Sequence, residues 1–306
     1  MRRYQAWLAD SARWDGFEFR PGDIVITTPP KAGTTWTQTL CALLIFRTPE
    51  FPAPVDELCP WLDMLTAPLD EVRARLAAQT HRRFIKTHVP LDGVPEDDAV
   101  RYVVVGRDPR DIAISWQHHM ENANIERMAE LRAAVVGPDP AEANDAEEHD
   151  PEPSQDADRF AQFIKGRDEM IPPNVRNVLH HLEIAWERRN APSVGLFHYS
   201  DMLADPPGEL GRLAEFLDIS IGEVELRSLA AEADINVMRR EVRLRAPGGD
   251  KGYWHDPAGF FRSGTTGDWR SLVRPEDLVA YDELVAELVP PDLADWVHNG
   301  RRGVAA

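Results

Sequence analysis

The chain has 306 residues, 43% of them apolar, and a formal net charge of −18. That length fits one large or two ordinary domains with a substantial buried core. The acidic balance argues against general nucleic-acid binding, which needs a basic footprint, and no apolar run is long enough to cross a bilayer as a helix.

The opening stretch, MRRYQAWLADSARW, has two arginines but no apolar h-region, so no signal peptide is expected. Two cysteines, Cys41 and Cys59, make no disulfide framework and point to a reducing, cytoplasmic setting. The basic residues are lopsided: 30 Arg against 4 Lys, namely Lys31, Lys86, Lys165 and Lys251. A chain that defaults to Arg but places Lys31 and Lys86 in two motifs suggests a need for a compact ammonium there.

In chain order, the first β-branched run, Asp23–Thr28, reads as a strand. It turns through Pro-Pro-Lys-Ala-Gly into a helical run, Thr37 to Phe46. A strand that turns into a helix start is a phosphate cradle, because the helix N-terminus leaves backbone N–H groups unpaired and partly positive. Gly33 permits close backbone approach, Lys31 adds charge, and Thr34 and Thr35 add hydroxyls. The order departs from the G-x-x-x-x-G-K-[ST] loop of nucleotide triphosphatases. Lys31 precedes Gly33 by two positions, and no hydroxyl stands where magnesium would be held. The loop fits a phosphate that carries no magnesium.

A helix is expected over Asp70–Gln79, then a second strand over Arg83–Thr87, leading into His88. Period two puts Lys86 and His88 on one face. Histidine is the side chain best suited to take a proton near neutral pH. Taken alone, the pair also fits a structural histidine at a strand end. A third strand, Arg101–Gly106, runs into Arg107 and a helix with Asp108 as N-cap and Pro109 at its first position. Arg107 and Ser115 are placed to grip a second phosphate, although alone Arg107 also fits a surface pair with Asp108 or Asp111.

The segment Gly137–Asp158 carries nine acidic residues and no basic ones, and reads as a mobile or disordered insertion. A helical stripe follows over Asn174–Arg189, with Val175, Val178, Leu179, Leu182 and Trp186 on one side. The last strand is expected at Val194–Tyr199. Ala246–Gly267, rich in Gly and aromatics, reads as a long loop or lid. Within Phe260–Arg270, the residues Arg262, Ser263 and Gly264 offer a cation, a hydroxyl and a backbone N–H in one turn. Strands alternating with helices imply α/β architecture, with a central parallel sheet flanked by helices and ligands at the carboxyl ends of the strands.

These four motifs, in this order and spacing, resemble the cytosolic-type sulfotransferase family, which uses 3′-phosphoadenosine 5′-phosphosulfate (PAPS). TTPPKAGTTW is similar to its 5′-phosphosulfate loop, GRDPRDIAIS to its 3′-phosphate motif, and FRSGTTGDWR to its C-terminal R-K-G-x-x-G-D-W-K motif. HRRFIKTHVPLDG, GRDPRDIAIS and LFHYSDM look most like actinobacterial members, including glycolipid sulfotransferases. The resemblance implies a P-loop nucleotide-kinase-like fold in a single domain spanning 1–306, and PAPS as a co-substrate with no permanently bound cofactor and no metal. It implies donor contacts from Lys31, Ala32, Gly33, Thr34, Thr35, Trp36, Arg107, Ser115, Tyr199, Arg262, Ser263 and Gly264. It implies His88 as general base in an in-line transfer, with Lys31 and Lys86 stabilising charge. Ser263 and Arg270 stand where the family motif has lysines, and no clear copy of its K-x-x-x-T-V-x-x-x-E dimerisation motif is present, which leaves the oligomeric state open.

The acceptor is then a small-molecule or lipid-linked alcohol or phenol, with Trp61, Leu62, Gln117, His118, Tyr253 and Trp254 expected to line its pocket. Two other readings compete. A phosphotransferase using ATP and magnesium is disfavoured by the displaced lysine. A non-catalytic nucleotide-binding module is disfavoured by the presence of both Lys31 and His88.

Overall fold

A computed structural model describes residues 1–138, 156–166 and 170–301. A small hairpin, β1 (Gln5–Ala6) and β2 (Ala9–Asp10), precedes a four-stranded sheet. The sheet comprises β3 (Ile24–Thr27), β4 (Phe84–Thr87), β5 (Arg101–Gly106) and β6 (Val194–His198). Its order is β4-β3-β5-β6, and every pairing is parallel. Val25 pairs with Ile85 on one side and Tyr102 on the other. All residues of β3 and β4 are buried, as continuous apolar runs covered on both faces should be.

Helices cover the sheet. Before β5 lie α1 (Thr34–Phe46), α2 (Val55–Leu58) and α3 (Leu69–Ala78). Between β5 and β6 come α4 (Pro109–Asn122), α5 (Ile125–Val136), α6 (Asp156–Lys165) and α7 (Val175–Glu187). After β6 follow α8 (Tyr199–Ala204), α9 (Pro206–Phe216), α10 (Glu223–Ala231), α11 (Ile235–Arg240), α12 (Val242–Arg245), α13 (Pro275–Leu288) and α14 (Pro291–Asn299). Val25, Ile85 and Val104 join one core with Val178 and Leu182 of α7, Tyr281 of α13 and Trp296 of α14. Ile24, Ile26, Phe84, Val103 and Val105 join the other with Leu43 of α1 and Leu210 and Leu213 of α9. Each such fully buried side chain contributes about 1.5–3 kcal/mol.

Local signals set the helix ends. Asp108 caps α4 by accepting from the Arg110 N–H at 2.9 Å, with Pro109 at the first position. Asn174 and Asn177 form a reciprocal capping box at the start of α7. The expected strand Val194–Tyr199 ends one residue early: the His198 side chain accepts from the Ser200 N–H, and Tyr199 opens α8. Likewise α1 begins at Thr34 rather than Thr37, with Gly33 as its left-handed N-cap.

Most of the acidic segment expected as an insertion, 139–155, lies outside the described residues. Its expected end at Asp158 is corrected: Asp156 and Asp158 form the first turn of α6, where carboxylates favour the helix dipole and Phe160 and Phe163 are buried. The expected loop Ala246–Gly267 contains one 3₁₀ turn, Ala258–Phe260, and is tied to the end of α4 by a β-bridge of Trp254 with Ala123 and by backbone bonds from Asn124 N–H to the Tyr253 carbonyl and from His255 N–H to the Asn122 carbonyl. Among the described residues, no helix is long and apolar enough to cross a membrane. Nor does any group of three or more His, Cys, Asp or Glu stand ready to hold a metal ion.

Candidate functional site

The carboxyl ends of β3, β4 and β5 open into one cavity of about 940 Å³. Its floor is the turn between β3 and α1. Lys31 holds a left-handed backbone at φ 66°. Gly33 follows at φ 103°, and a Cβ there would stand 2.9 Å from Cδ2 of Tyr199, so the position requires glycine. Thr28 and Thr34 hydroxyls meet at 2.6 Å and close the turn. No side chain caps the N-terminus of α1, which leaves its first N–H groups available. Pro30, Lys31, Gly33, Thr34, Thr35 and Trp36 line the cavity. Ala32 does not: its side chain is fully buried in the core and its N–H donates to Pro29.

Arg107 stands at the end of β5 under this turn. Its Nη1 donates to the Lys31 carbonyl at 2.9 Å and its Nη2 to the Thr265 carbonyl at 3.1 Å. The guanidinium lies 4.3 Å from the Tyr199 ring centroid, and Tyr199 meets Trp36 edge to face at 5.4 Å. The Arg107 Nε is buried and has no hydrogen-bond partner among the described residues. Neither surface pair that the sequence left open forms. Asp108 binds Arg110 at 2.8 Å, and Asp111 accepts from the Gly267 N–H. Ser115 lies two turns along α4 and also lines the cavity, as do Arg262, Ser263 and Gly264. Arg262 is paired with Asp268 at 2.6 Å, and the Ser263 hydroxyl accepts from Thr265 at 2.9 Å.

Lys86 and His88 face Trp61 together. The Lys86 Nζ lies 4.1 Å from the Trp61 ring centroid, and the His88 ring meets Trp61 edge to face at 4.8 Å. The His88 Nδ1 lies 2.8 Å from the Thr28 carbonyl. A carbonyl only accepts, so Nδ1 carries the hydrogen and Nε2 keeps the lone pair. Burial, with Lys86 nearby, holds His88 well below the usual imidazole range, so the ring is neutral. Burial lowers Lys86 to about 8. Lys31 is lowered to about 7, by burial first and then by Arg107, Lys86 and Arg262. Behind the pair, the Thr87 hydroxyl donates to Oδ2 of Asp63 at 2.8 Å and accepts from the Val89 N–H at 2.9 Å, bracketing His88. Asp63 is fully buried, and desolvation pushes its carboxyl up to about 6.

Of the residues expected around an acceptor, Trp61, His118, Tyr253 and Trp254 line the cavity. Two do not. Leu62 is fully buried in the core, because the turn Trp61–Met64, closed by the Met64 N–H donating to the Trp61 carbonyl at 3.3 Å, points it away from the cavity. Gln117 is buried toward α6, where its Nε2 donates to the Asp156 carbonyl at 3.1 Å. The sequence reading missed His119, whose Nδ1 lies 3.1 Å from the Lys31 Nζ. Its signal was available: His119 is four residues after Ser115, hence on the same helix face. Trp7, Leu8, Met64 and Met128, also missed, make an apolar wall at the far side.

Residues 21–291 match the family model described as Sulfotransferase domain. The chain is 42% identical over 318 aligned positions to the glycolipid sulfotransferase of Mycobacterium bovis, covering 98% of this chain and 95% of that one. A glycolipid sulfotransferase of Mycobacterium tuberculosis is 41% identical, with the same coverage. In fold, the chain is similar to retinol dehydratase solved with androsterone and the inactive cofactor PAP, with a TM-score of 0.71 and 22% identity over 92% of this chain and 84% of that one. It is also similar to a mouse sulfotransferase solved with PAP, with a TM-score of 0.65 and 20% identity over 95% and 89%. The chain belongs to the sulfotransferase family.

Proposed function

We propose that the protein transfers a sulfuryl group from PAPS to a hydroxyl of a lipid-linked acceptor. The observation that carries this reading is the neutral His88, its Nε2 carrying the lone pair, with buried Lys86 and half-buried Lys31 in the same cavity. Donor fit rests on the other end of the cavity. The α1 N-terminus, Lys31 and Thr34 suit a 5′-phosphosulfate, whereas the buried, unpartnered Arg107 Nε with Ser115 suits a second phosphate. Trp36 and Tyr199, which meet edge to face and both line this end of the cavity, supply aromatic surface for adenine.

In the transfer, His88 Nε2 takes the acceptor hydroxyl proton as the acceptor oxygen bonds to sulfur. On the opposite side, the bond from sulfur to the bridging phosphate oxygen breaks. Lys31 and Lys86 stabilise the charge that gathers on the leaving oxygen and the transferring group, and adenosine 3′,5′-bisphosphate (PAP) departs. Catalysis is then mostly positioning and preorganised electrostatics. The apolar wall of Trp7, Leu8, Met64 and Met128 suits an acyl chain, and Trp61, Trp116 and Trp254 suit a sugar face, which together favour a glycolipid acceptor. That reading agrees with the name of the mycobacterial relatives. The free, buried Cys41 and Cys59 support a reducing, cytoplasmic compartment.

The test is incubation with PAPS and a panel of glycolipids, sterols and phenols, with and without a chelator, followed by product mass. A sulfated glycolipid formed equally with and without chelator is expected. Transfer from ATP that depends on magnesium would overturn the reading in favour of a phosphotransferase.

A further inference from the structure

Lys31 shares its cavity with several other cations. Arg107, Lys86 and Arg262 all press on it electrostatically, and among the described residues no ion pair involves it. The one hydrogen-bond partner of its side chain there is His119, at 3.1 Å from Nζ to Nδ1. An ammonium only donates, so Nδ1 accepts and the His119 hydrogen sits on Nε2. The imidazole is therefore neutral, which agrees with its depression by burial and then by Lys31 and Lys86.

The ring is itself fixed. His119 packs against Trp116 at 5.2 Å, Trp254 at 4.9 Å and Phe260 at 6.1 Å between centroids. The Lys31 Nζ also lies 5.0 Å from the Phe260 centroid. The α4 helix supplies His119, and the loop after α12 supplies Trp254 and Phe260. A carboxylate in the place of His119 would orient the lysine equally well, but it would cancel the charge that an anionic donor needs. A neutral acceptor orients the ammonium and leaves its charge uncompensated.

We propose that His119 is a positioning residue for Lys31: a neutral hydrogen-bond acceptor, held in an aromatic box, that aims the ammonium without neutralising it. The proposal rests on Lys31 serving the donor 5′-phosphosulfate. It makes acceptance without charge the requirement at position 119, so glutamine and glutamate, near-identical in shape, should differ.

The experiment is calorimetry with PAP on the full chain, comparing wild type with His119→Gln, His119→Glu and His119→Phe. His119→Gln should stay within about threefold of wild type in Kd. His119→Phe, which keeps the ring contacts, should weaken PAP about tenfold, and His119→Glu by at least as much. With adenosine 3′-monophosphate, which lacks the 5′-phosphate, the losses should vanish, as they should for PAP when Lys31→Met is combined with each variant. Equal binding by all three variants, or losses that persist in the Lys31→Met background, would overturn the proposal. Nitrogen-15 NMR of the imidazoles reads the contact without any ligand. His119 should show the Nε2–H tautomer in wild type and a mixed state in Lys31→Met, and a tautomer unchanged by Lys31→Met overturns the positioning role. Failure of wild type to bind PAP would instead sink the donor assignment, with the NMR result still deciding the role of His119.

Discussion

Arg107 donates to the main-chain oxygen of Lys31 at 2.9 Å. The strand-end arginine therefore props the turn that presents the cavity lysine, and through the Thr265 carbonyl it ties that turn to the C-terminal loop. Two segments far apart in sequence, both proposed to hold donor phosphates, are one mechanical unit.

Arg107→Lys keeps the charge but loses the fork that reaches both carbonyls. The left-handed backbone at Lys31 loses its prop. Stability should fall by about 2 kcal/mol, since hydrogen bonds from a charged group contribute roughly 1.5–3 kcal/mol each. PAP affinity should fall about a hundredfold, because the second-phosphate contact and the lysine placement go together. Thermal melting and calorimetry on the same preparation check both. Unchanged melting with weakened PAP would mean that Arg107 only contacts ligand and supports nothing.

His88→Asn should lower turnover by about 10²–10⁴-fold, the usual contribution of a general base, and leave PAP affinity within about threefold. The pH profile carries a sharper expectation. His88 is held well below its ordinary value by burial and by Lys86, so the acid limb of kcat should lie below the reference pKa of about 6.5. Removing the neighbouring charge with Lys86→Met should move that limb upward. A wild-type limb at or above the reference value would contradict a buried, neutral base.

Lys31 carries a stability cost with a definite sign. Its pKa is about 7 in the fold and 10.5 when exposed. Between those values the unfolded chain binds more protons, so stability rises with pH across that window. Below about pH 7 the ammonium is charged in both states and its desolvation penalty is full. Lys31→Met should therefore raise Tm at pH 6 and lose that advantage toward pH 10, by roughly 2–4 °C for each kcal/mol relieved. PAP binding by wild type should weaken above about pH 7 as the free ammonium deprotonates. A pH-independent Tm difference would argue against the depressed value.

Much of this architecture was legible before the structure, for physical reasons. Strands buried on both faces must be continuous apolar runs, so Ile24–Thr27 and Arg101–Gly106 stand out. The Lys31 turn and the Lys86–His88 pair sit at strand ends, where an α/β sheet puts its ligands. What failed was phase. Gln117 and His119 are two residues apart on α4, and a helix turns about 100° per residue, so counting from Ser115 was needed to choose between them. Trp7 and Leu8 were missed for a different reason. They lie in the tip of a hairpin with two-residue strands, which carries no periodic signal, and only tertiary bonds such as the Leu65 N–H to the Leu8 carbonyl at 2.8 Å bring it to the cavity. The pairing of Arg262 with Asp268 likewise depends on the fold of an irregular loop.

Asp63 supplies the last prediction, because it sets stability against activity. The carboxyl is fully buried, and its Oδ2 accepts from the Thr87 hydroxyl. Desolvation raises it to about 6 from an ordinary 3.8. A raised carboxyl pKa means that the folded state binds more protons, so its favourable contribution is full below about pH 4 and is lost as pH rises through about 6. Asp63→Asn keeps the shape and removes the charge. It should therefore match wild type near pH 4 and exceed it in Tm above pH 7. Activity should move the other way. The carboxylate is one of the charges that favour the Lys86 ammonium, so its loss should lower the Lys86 pKa further and reduce kcat at pH 8 more than at pH 6. The Thr87 bracket around His88 should survive, because the amide oxygen still accepts from the hydroxyl. Melting curves at pH 4 and 8 and kcat at pH 6 and 8 decide the matter. A variant less stable than wild type at pH 8 would mean that the ionised carboxylate is paired more strongly than the structure indicates.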